Sequence, residues 1–496
     1  MRRDVACNVS FHKGKSNSHS QKYMTQTNSI QTIQQQHLQI FITRYNQKTK
    51  TSKQQAQTYR PILADNKTLV GFNPVLKELF YPIVAKRSLG SNIWDIDGNE
   101  YIDVTMGFGS NLFGHNPPFI KAALQEQLDK GIQIGPQAEL AGEVAQLICE
   151  LTKMDRVAFS NTGTEAVMTA LRLARTATNR SKIVMFAGSY HGHFDGTLVK
   201  PVTVDGNLQS VPLAPGITPN LVADVLVLDY GNFQSLEIIK AHSNELAAVI
   251  VEPVQSRRPD LQPKAFLHQL RELTKELGIV LIFDEMVTGF RIHPGGAQAW
   301  FGVEADIATY GKIVGGGMPM GVIAGKASIM NAIDGGMWNY EDASYPQAKK
   351  TFFAGTFCKH PLALAAAKAV LQHLKIQGFL LQQQLNQRTS HFVERLNNYF
   401  QEEELPIKMT NFGSLFGPAS SGSHASSENP ESSGFDLLYY HLIDRGIILR
   451  GSGGFLSTAH TDTDIDRMIE AVKSSIEELR EGYFLPHRSS NATLKL

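Results

Sequence analysis

Short apolar runs alternate with stretches whose apolar residues recur every three or four positions through most of this chain. The runs RVAFS (156–160), KIVMFAG (182–188), AAVIVEP (247–253) and GIVLIFDE (278–285) are nearly continuous and β-branched. That is the pattern of strands buried on both faces. Between them, TEAVMTALRLARTAT (164–178) and KAFLHQLRELTKEL (264–277) carry helical spacing. Strands alternating with helices predict an α/β fold with a mostly parallel sheet covered by helices. ADIATYG (305–311) adds a strand ending at Tyr310. Upstream, NIWDIDGNEYIDV (92–104) alternates about Asp97-Gly98 and predicts a hairpin. From about residue 375 the pattern becomes one long helix and then a smaller α+β unit, with 418–434 a flexible loop by composition.

The first 65 residues differ in kind. Ile30, Ile33, His37, Phe41 and Tyr45, with Leu38 beside them, fall on one helical stripe. Two readings fit it: a linker helix lying on the main body, or a helix that docks a partner. KTKTSKQQAQTYRP after it reads as a solvated connection. This segment has ten Lys and Arg against Asp4 and Asp65, whereas the whole chain of 496 residues has a net charge of only +1. Such a balance does not advertise nucleic acid as a partner. Cys7, Cys149 and Cys358 are too few and scattered for a disulfide framework or a zinc site, which suits a reducing compartment. No apolar run approaches the ~20 residues of a membrane span, and the N-terminus has no apolar leader core. A cytoplasmic protein with no membrane association is expected. The divisions read as 1–65 linker, 66–120 a segment joining the small domain, 121–375 the large domain, 376–485 the C-terminal small domain and 486–496 a tail.

In an open parallel sheet, ligands bind beyond the carboxyl ends of the strands. Four such places carry chemistry. SNTGTEA (160–166) opens a helix with small hydroxyl residues and a glycine. It reads either as an anion site suited to phosphate or as an ordinary N-cap. GSYHGHFDG (188–196) offers Tyr190 and His191 to a planar ligand; a surface turn, or a metal held by His191, His193 and Asp195, are the alternatives. Asp284 ends a strongly apolar strand, so its carboxylate needs a cation or donor: a ligand's, or Arg291 in a buried salt bridge. In TYGKIVGGGMPMGV (309–322), Lys312 follows a strand directly, where a desolvated amine attacks carbonyls. A phosphate-binding P-loop is excluded, because Ile313 stands where Ser or Thr is required and Asp306 where the first glycine is required. One ligand has a part for all four places: pyridoxal 5′-phosphate, with an aldehyde for Lys312, a phosphate for the helix start, a flat ring and a ring cation for Asp284.

SNTGTEA, SYHGHFDG, VEPVQ, FDEMVTGFR, YGKIVGGGMPMG and FAGTFCKHP together resemble a class III, fold-type I aminotransferase over about 66–485. The resemblance implies a large and a small domain, pyridoxal 5′-phosphate, and a homodimer with shared active sites. By motif, Lys312 resembles the Schiff-base lysine and Asp284 the partner of the pyridine nitrogen. Thr162, Gly163 and Thr164 match the phosphate turn, Tyr190 the ring-stacking residue with His191 beside it, and Glu252 and Gln255 the segment near the cofactor hydroxyl and substrate. Gly355 and Thr356 are similar to the pair that reaches the other subunit's phosphate. Phe108 stands where relatives carry a substrate-pocket wall, with plain core packing as the other reading, and Arg291 is placed with the substrate. The branch is similar to glutamate-1-semialdehyde aminomutases, whose upstream carboxylate-holding arginine is replaced in GFNPVLKELFYPI (71–83) by Leu76 and Lys77. Segments 34–66 and 456–466 resemble aminotransferase domains of hybrid polyketide synthase–nonribosomal peptide synthetase lines. That implies glutamate or glutamine as donor and a β-keto acyl chain on an acyl carrier protein as acceptor.

Overall fold

The computed structural model describes residues 17–204, 207–419, 432–449, 451 and 453–486. The chain enters through two helices, α1 (Asn17–Lys48) and α2 (Lys50–Tyr59). Of the apolar stripe, Phe41 and Tyr45 are buried, while Ile30, Ile33, His37 and Leu38 are half-buried. Phe41 stacks on His441 with ring centroids 3.9 Å apart, and Arg44 pairs with Asp444 at 2.8 Å. The described part of α1 thus lies on its own chain's helix Ser432–Asp444.

The stretch expected to be a solvated connection is instead α2. A hairpin of β1 (Asn92–Asp95) and β2 (Glu100–Asp103), with Trp94 opposite Glu100, supplies the reason. Asp97 in its turn accepts hydrogen bonds from the backbone N–H of Thr51 at 2.6 Å and of Ser52 at 2.9 Å. A distant carboxylate thus caps the first turn, where α2's own sequence offers no cap. Helix propensity alone was silent here; the tertiary contact decides.

The molecule's main sheet has seven strands: β3 (Arg156–Ser160), β4 (Lys182–Phe186), β5 (Val225–Leu228), β6 (Leu246–Val251), β7 (Val280–Asp284), β8 (Ile307–Gly311) and β9 (Gly321–Gly325). Their spatial order is β3-β9-β8-β7-β6-β4-β5, and only β9 runs antiparallel to its neighbours. All residues of β6 to β9 are buried, as expected of strands covered on both faces. Helix α3 (Gly163–Thr178) packs on the sheet through Ala166, Val167, Ala170, Leu171 and Ala174. Small side chains there let helix and sheet approach closely.

The long helix expected from about residue 375 is α5 (Phe379–Glu402); a separate helix, α4 (Pro361–Gln377), precedes it, and Gly378 at φ 59° divides the two. Beyond α5, strands Met409–Phe412 and Leu415–Pro418 form a small antiparallel sheet with Gly454–Phe455. Ile447–Ile448 joins the hairpin in parallel beside β2, so N- and C-terminal segments share one sheet. Most of the loop expected at 418–434 lies outside the described residues, and Ser432 already opens a helix. No helix among the described residues is long and apolar enough to cross a membrane.

Candidate active site

Because β3, β4, β6, β7 and β8 run parallel, their carboxyl ends gather at one edge. Ser160, Gly188 to His191, Glu252, Asp284 and Lys312 follow those ends. All four sequence-marked places therefore lie along one edge of the sheet.

At the start of α3, Thr162 is the N-cap, its hydroxyl accepting from Glu165 N–H at 3.2 Å. The Glu165 carboxylate reaches back to Asn161 N–H at 2.8 Å. The N-cap reading is thus met, and it leaves the anion reading open, since first-turn N–H groups have no intrahelical acceptor. Glycines draw the surroundings in. A Cβ on Gly192 would stand 2.4 Å from Thr164 Oγ1, and one on Gly321 would stand 2.2 Å from the Thr162 carbonyl. One on Gly163 would meet Met286 Sδ at 2.9 Å. Thr164 Oγ1 also accepts from His193 N–H at 3.2 Å, tying the SYHGHF turn to the helix start.

Asp284 is buried, and its Oδ2 lies 2.7 Å from His191 Nδ1. Its Oδ1 accepts from Thr309 Oγ1 and Met286 N–H, each at 3.2 Å. The salt bridge considered with Arg291 does not exist; His191 is the partner. His191 Nε2 is buried without a hydrogen-bond partner, a cost the fold bears at this ring. His193 and Asp195 line a recess of about 340 Å³ instead of joining His191, and no metal-ligand cluster occurs among the described residues. Tyr190, half exposed, is anchored by its backbone N–H to Glu252 Oε2 at 2.9 Å. Glu252 also accepts from Ser256 N–H at 3.3 Å, and burial raises its carboxyl above the usual range. Gln255 donates to the Ala187 carbonyl at 2.8 Å, leaving its Oε1 buried and unpartnered.

Lys312 lies one strand over from Asp284, which pairs with Thr309 in register. It is half-buried and sits at φ 48°, a left-handed conformation costing a non-glycine residue about 1–2 kcal/mol. Gly311 beside it is obligatory for another reason: its Cβ would lie 2.7 Å from Met286 Sδ and 3.0 Å from the Met320 carbonyl. Gly316 and Gly317, at φ 58° and 93°, then turn the chain sharply into β9.

Arg291 is fully buried: it donates to Val287 O at 3.0 Å, to Ser414 Oγ at 2.8 Å and to Gly109 O, and covers the Phe455 ring at 4.7 Å. Burial pushes it down to about 9. It holds the segment Met106–Gly109, whose four residues all have positive φ. Phe108, carried there, is 58% exposed, which excludes core packing within this chain. Gly355 and Thr356 are exposed, with a Cβ on Gly355 within 3.8 Å of Asn161 Nδ2.

Sequence reasoning missed Glu285 and Met286. Glu285 is buried, accepts from Ala297 N–H at 2.5 Å, Gln298 N–H at 3.2 Å and Thr288 Oγ1 at 3.1 Å, and burial pushes it up to about 7. The adjacent acids of FDEM were the available signal: on a strand end, neighbours face opposite ways. Met286 fills the space that Gly163 and Gly311 leave.

The donor set fits pyridoxal 5′-phosphate: a helix start whose glycines leave room, a buried imidazole with an unsatisfied nitrogen behind the ring acid, and a lysine on the neighbouring strand. Comparisons agree. The family model for class-III aminotransferases matches residues 76–474. The glutamate-1-semialdehyde 2,1-aminomutase of Chloroflexus aggregans is 35% identical over 80% of this chain and 91% of its own length. Glutamate-1-semialdehyde 2,1-aminomutase 2 of Exiguobacterium sp. is 36% identical over 82% and 92%. Among solved structures, an omega-transaminase from Sphaerobacter thermophilus superposes with a TM-score of 0.77 at 28% identity, covering 86% of this chain and 98% of that one. A β-phenylalanine aminotransferase from Variovorax paradoxus does so at 0.76 and 29%, covering 92% and 99%. With the motifs in sequence order and their side chains at one sheet edge, the chain belongs to the class-III aminotransferases, pyridoxal 5′-phosphate-dependent enzymes of fold type I.

Proposed function

We propose that this chain moves an amino group from a separate amino-acid donor, glutamate or glutamine, to a carbonyl acceptor. The bound cofactor supplies an electron sink for charge developing on the substrate carbon. Lys312 would hold it, and its amine would carry a proton as general base and then general acid. Asp284 would accept from the ring nitrogen, and His191, Thr309 and the Met286 N–H fix its direction. Glu252 sets Tyr190 through its backbone.

The observation that carries a separate donor is the turn Pro74–Leu79. Where the aminomutase resemblance expects a carboxylate-holding arginine, Leu76 is buried in the core and Lys77 is exposed. A second reading, glutamate-1-semialdehyde 2,1-aminomutase, is favoured by the curated relatives at 35–36% identity. Those relatives support it better than they support a carrier-bound acceptor, which rests on the resemblance of 34–66 and 456–466 alone. The visible spectrum of cofactor-loaded protein separates the two. Bleaching on addition of glutamate, with stoichiometric release of its keto acid, is the expected result. A band that answers only to glutamate-1-semialdehyde, with no keto acid released, hands the reaction to the aminomutase.

A homodimer is part of the proposal. Its support is the exposed apolar segment 337–357, which ends beside Gly355 and Thr356.

A further inference from the structure

The loop that leaves β6 runs Glu252, Pro253, Val254, Gln255, Ser256, Arg257, Arg258, and its last two residues have not been given a role. Up to Gln255 its side chains are buried, and they fix the edge of the site. Arg257 then emerges exposed, with its guanidinium carbon 5.9 Å from the centroid of the Tyr190 ring. Neither Arg257 nor Arg258 has an ion-pair partner among the described residues. Arg258 Nε is buried with no hydrogen-bond partner, which is costly for a cationic group. The two adjacent guanidinium groups thus lack acids among the described residues, and Arg257 lies against the exposed ring of Tyr190 at the site's edge. The planar fork of guanidinium donors matches a carboxylate bidentately. The loop's anchoring argues the same way. Arg258 N–H bonds back to the Gln255 carbonyl at 2.9 Å, and Leu261 N–H to the Arg258 carbonyl at 3.0 Å, so successive turns hold the pair in place.

We propose that Arg257, steadied by Tyr190 and by the loop that holds Arg258, receives a carboxylate of the substrate. This rests on the reading that an amino acid is the donor, and it answers a question that reading leaves open: what holds the carboxylate when the 71–83 segment offers no arginine. The residue sets specificity and takes no part in proton transfer.

Glutarate, an unreactive dicarboxylate, probes the site in the cofactor-loaded protein. Its dissociation constant is measured by calorimetry for wild type, Arg257→Ala and Arg257→Lys. Being exposed, the position tolerates truncation, and an unchanged melting temperature establishes that. The expected result is at least a ten-fold weaker binding in Arg257→Ala with partial recovery in Arg257→Lys. With glutamate, KM rises by a similar factor while kcat moves less. Glutarate binding equal to wild type in Arg257→Ala overturns the assignment. Should wild type consume no amino-acid donor, the functional reading fails on its own, and glutarate still decides whether Arg257 is a carboxylate site.

Discussion

Asp284 and Glu285 are adjacent, both buried, and built for opposite ends. Asp284 has a histidine and two donors that fix its direction. Glu285 has backbone N–H groups and a hydroxyl, yet burial outweighs them and lifts it to about 7 from an ordinary 4.5. The sign follows from proton counting. Between those values the folded state binds a proton that the unfolded chain has released, so stability falls as pH rises from about 4.5 to about 7 and is level above. The span corresponds to up to about 3 kcal/mol. Glu285→Gln keeps an oxygen for Ala297 N–H and cannot ionise, so its denaturant midpoint should lose that part of the slope between pH 5 and 7. A variant with the wild-type slope would place the titration elsewhere. The mobile proton also explains why the pair was only half legible in the sequence. FDEM marks two acids on one strand end, but what each one meets depends on partners brought from the loop after β4, from β8 and from the short helix Gly296–Phe301.

At the scale of elements, legibility followed hydrophobic pattern. Strands such as Arg156–Ser160 and helices such as Gly163–Thr178 came within a few residues of their expected limits, because continuous apolar runs have few other ways to be buried. The site was legible for a related reason: each of its motifs follows such a run. What failed was whatever one element owes to another. Arg291 looks like a salt-bridge partner until the small sheet supplies Ser414. The clearest case is α2, polar along most of its length and capped from outside by Asp97. Burial alone would raise the Asp97 carboxyl, but the bonds from Thr51 and Ser52 outweigh it and hold the group below its usual value. Its contribution is therefore present above the ordinary carboxylate range and fades as pH falls through it. Asp97→Ala should cost about 1 kcal/mol, as loss of a cap does, and increase amide exchange in 50–59 while leaving the main sheet untouched. Unchanged exchange in α2 would mean that the helix holds without its cap.

At the scale of the molecule, the open question is what covers the aromatic surface. Tyr340 is 82% exposed and Phe352 77%, and Met337, Tyr345 and Phe357 in the same stretch are exposed as well. A single soluble chain rarely presents so many large apolar side chains close together unless another surface meets them. Gly355 and Thr356 stand within that stretch, and the family resemblance assigns them to the other subunit's phosphate. Assembly and cofactor retention should therefore be linked through one segment. The proposal makes the native mass in solution that of two chains. The double variant Tyr340→Asp and Phe352→Asp buries two charges in the interface and should dissociate the dimer. Because half of each phosphate site would leave with the partner, the separated chains should also lose cofactor at least ten-fold more readily on dialysis. A monomeric variant that retains cofactor as wild type does would break that link and confine each phosphate site to its own chain. A variant that stays dimeric would move the interface elsewhere.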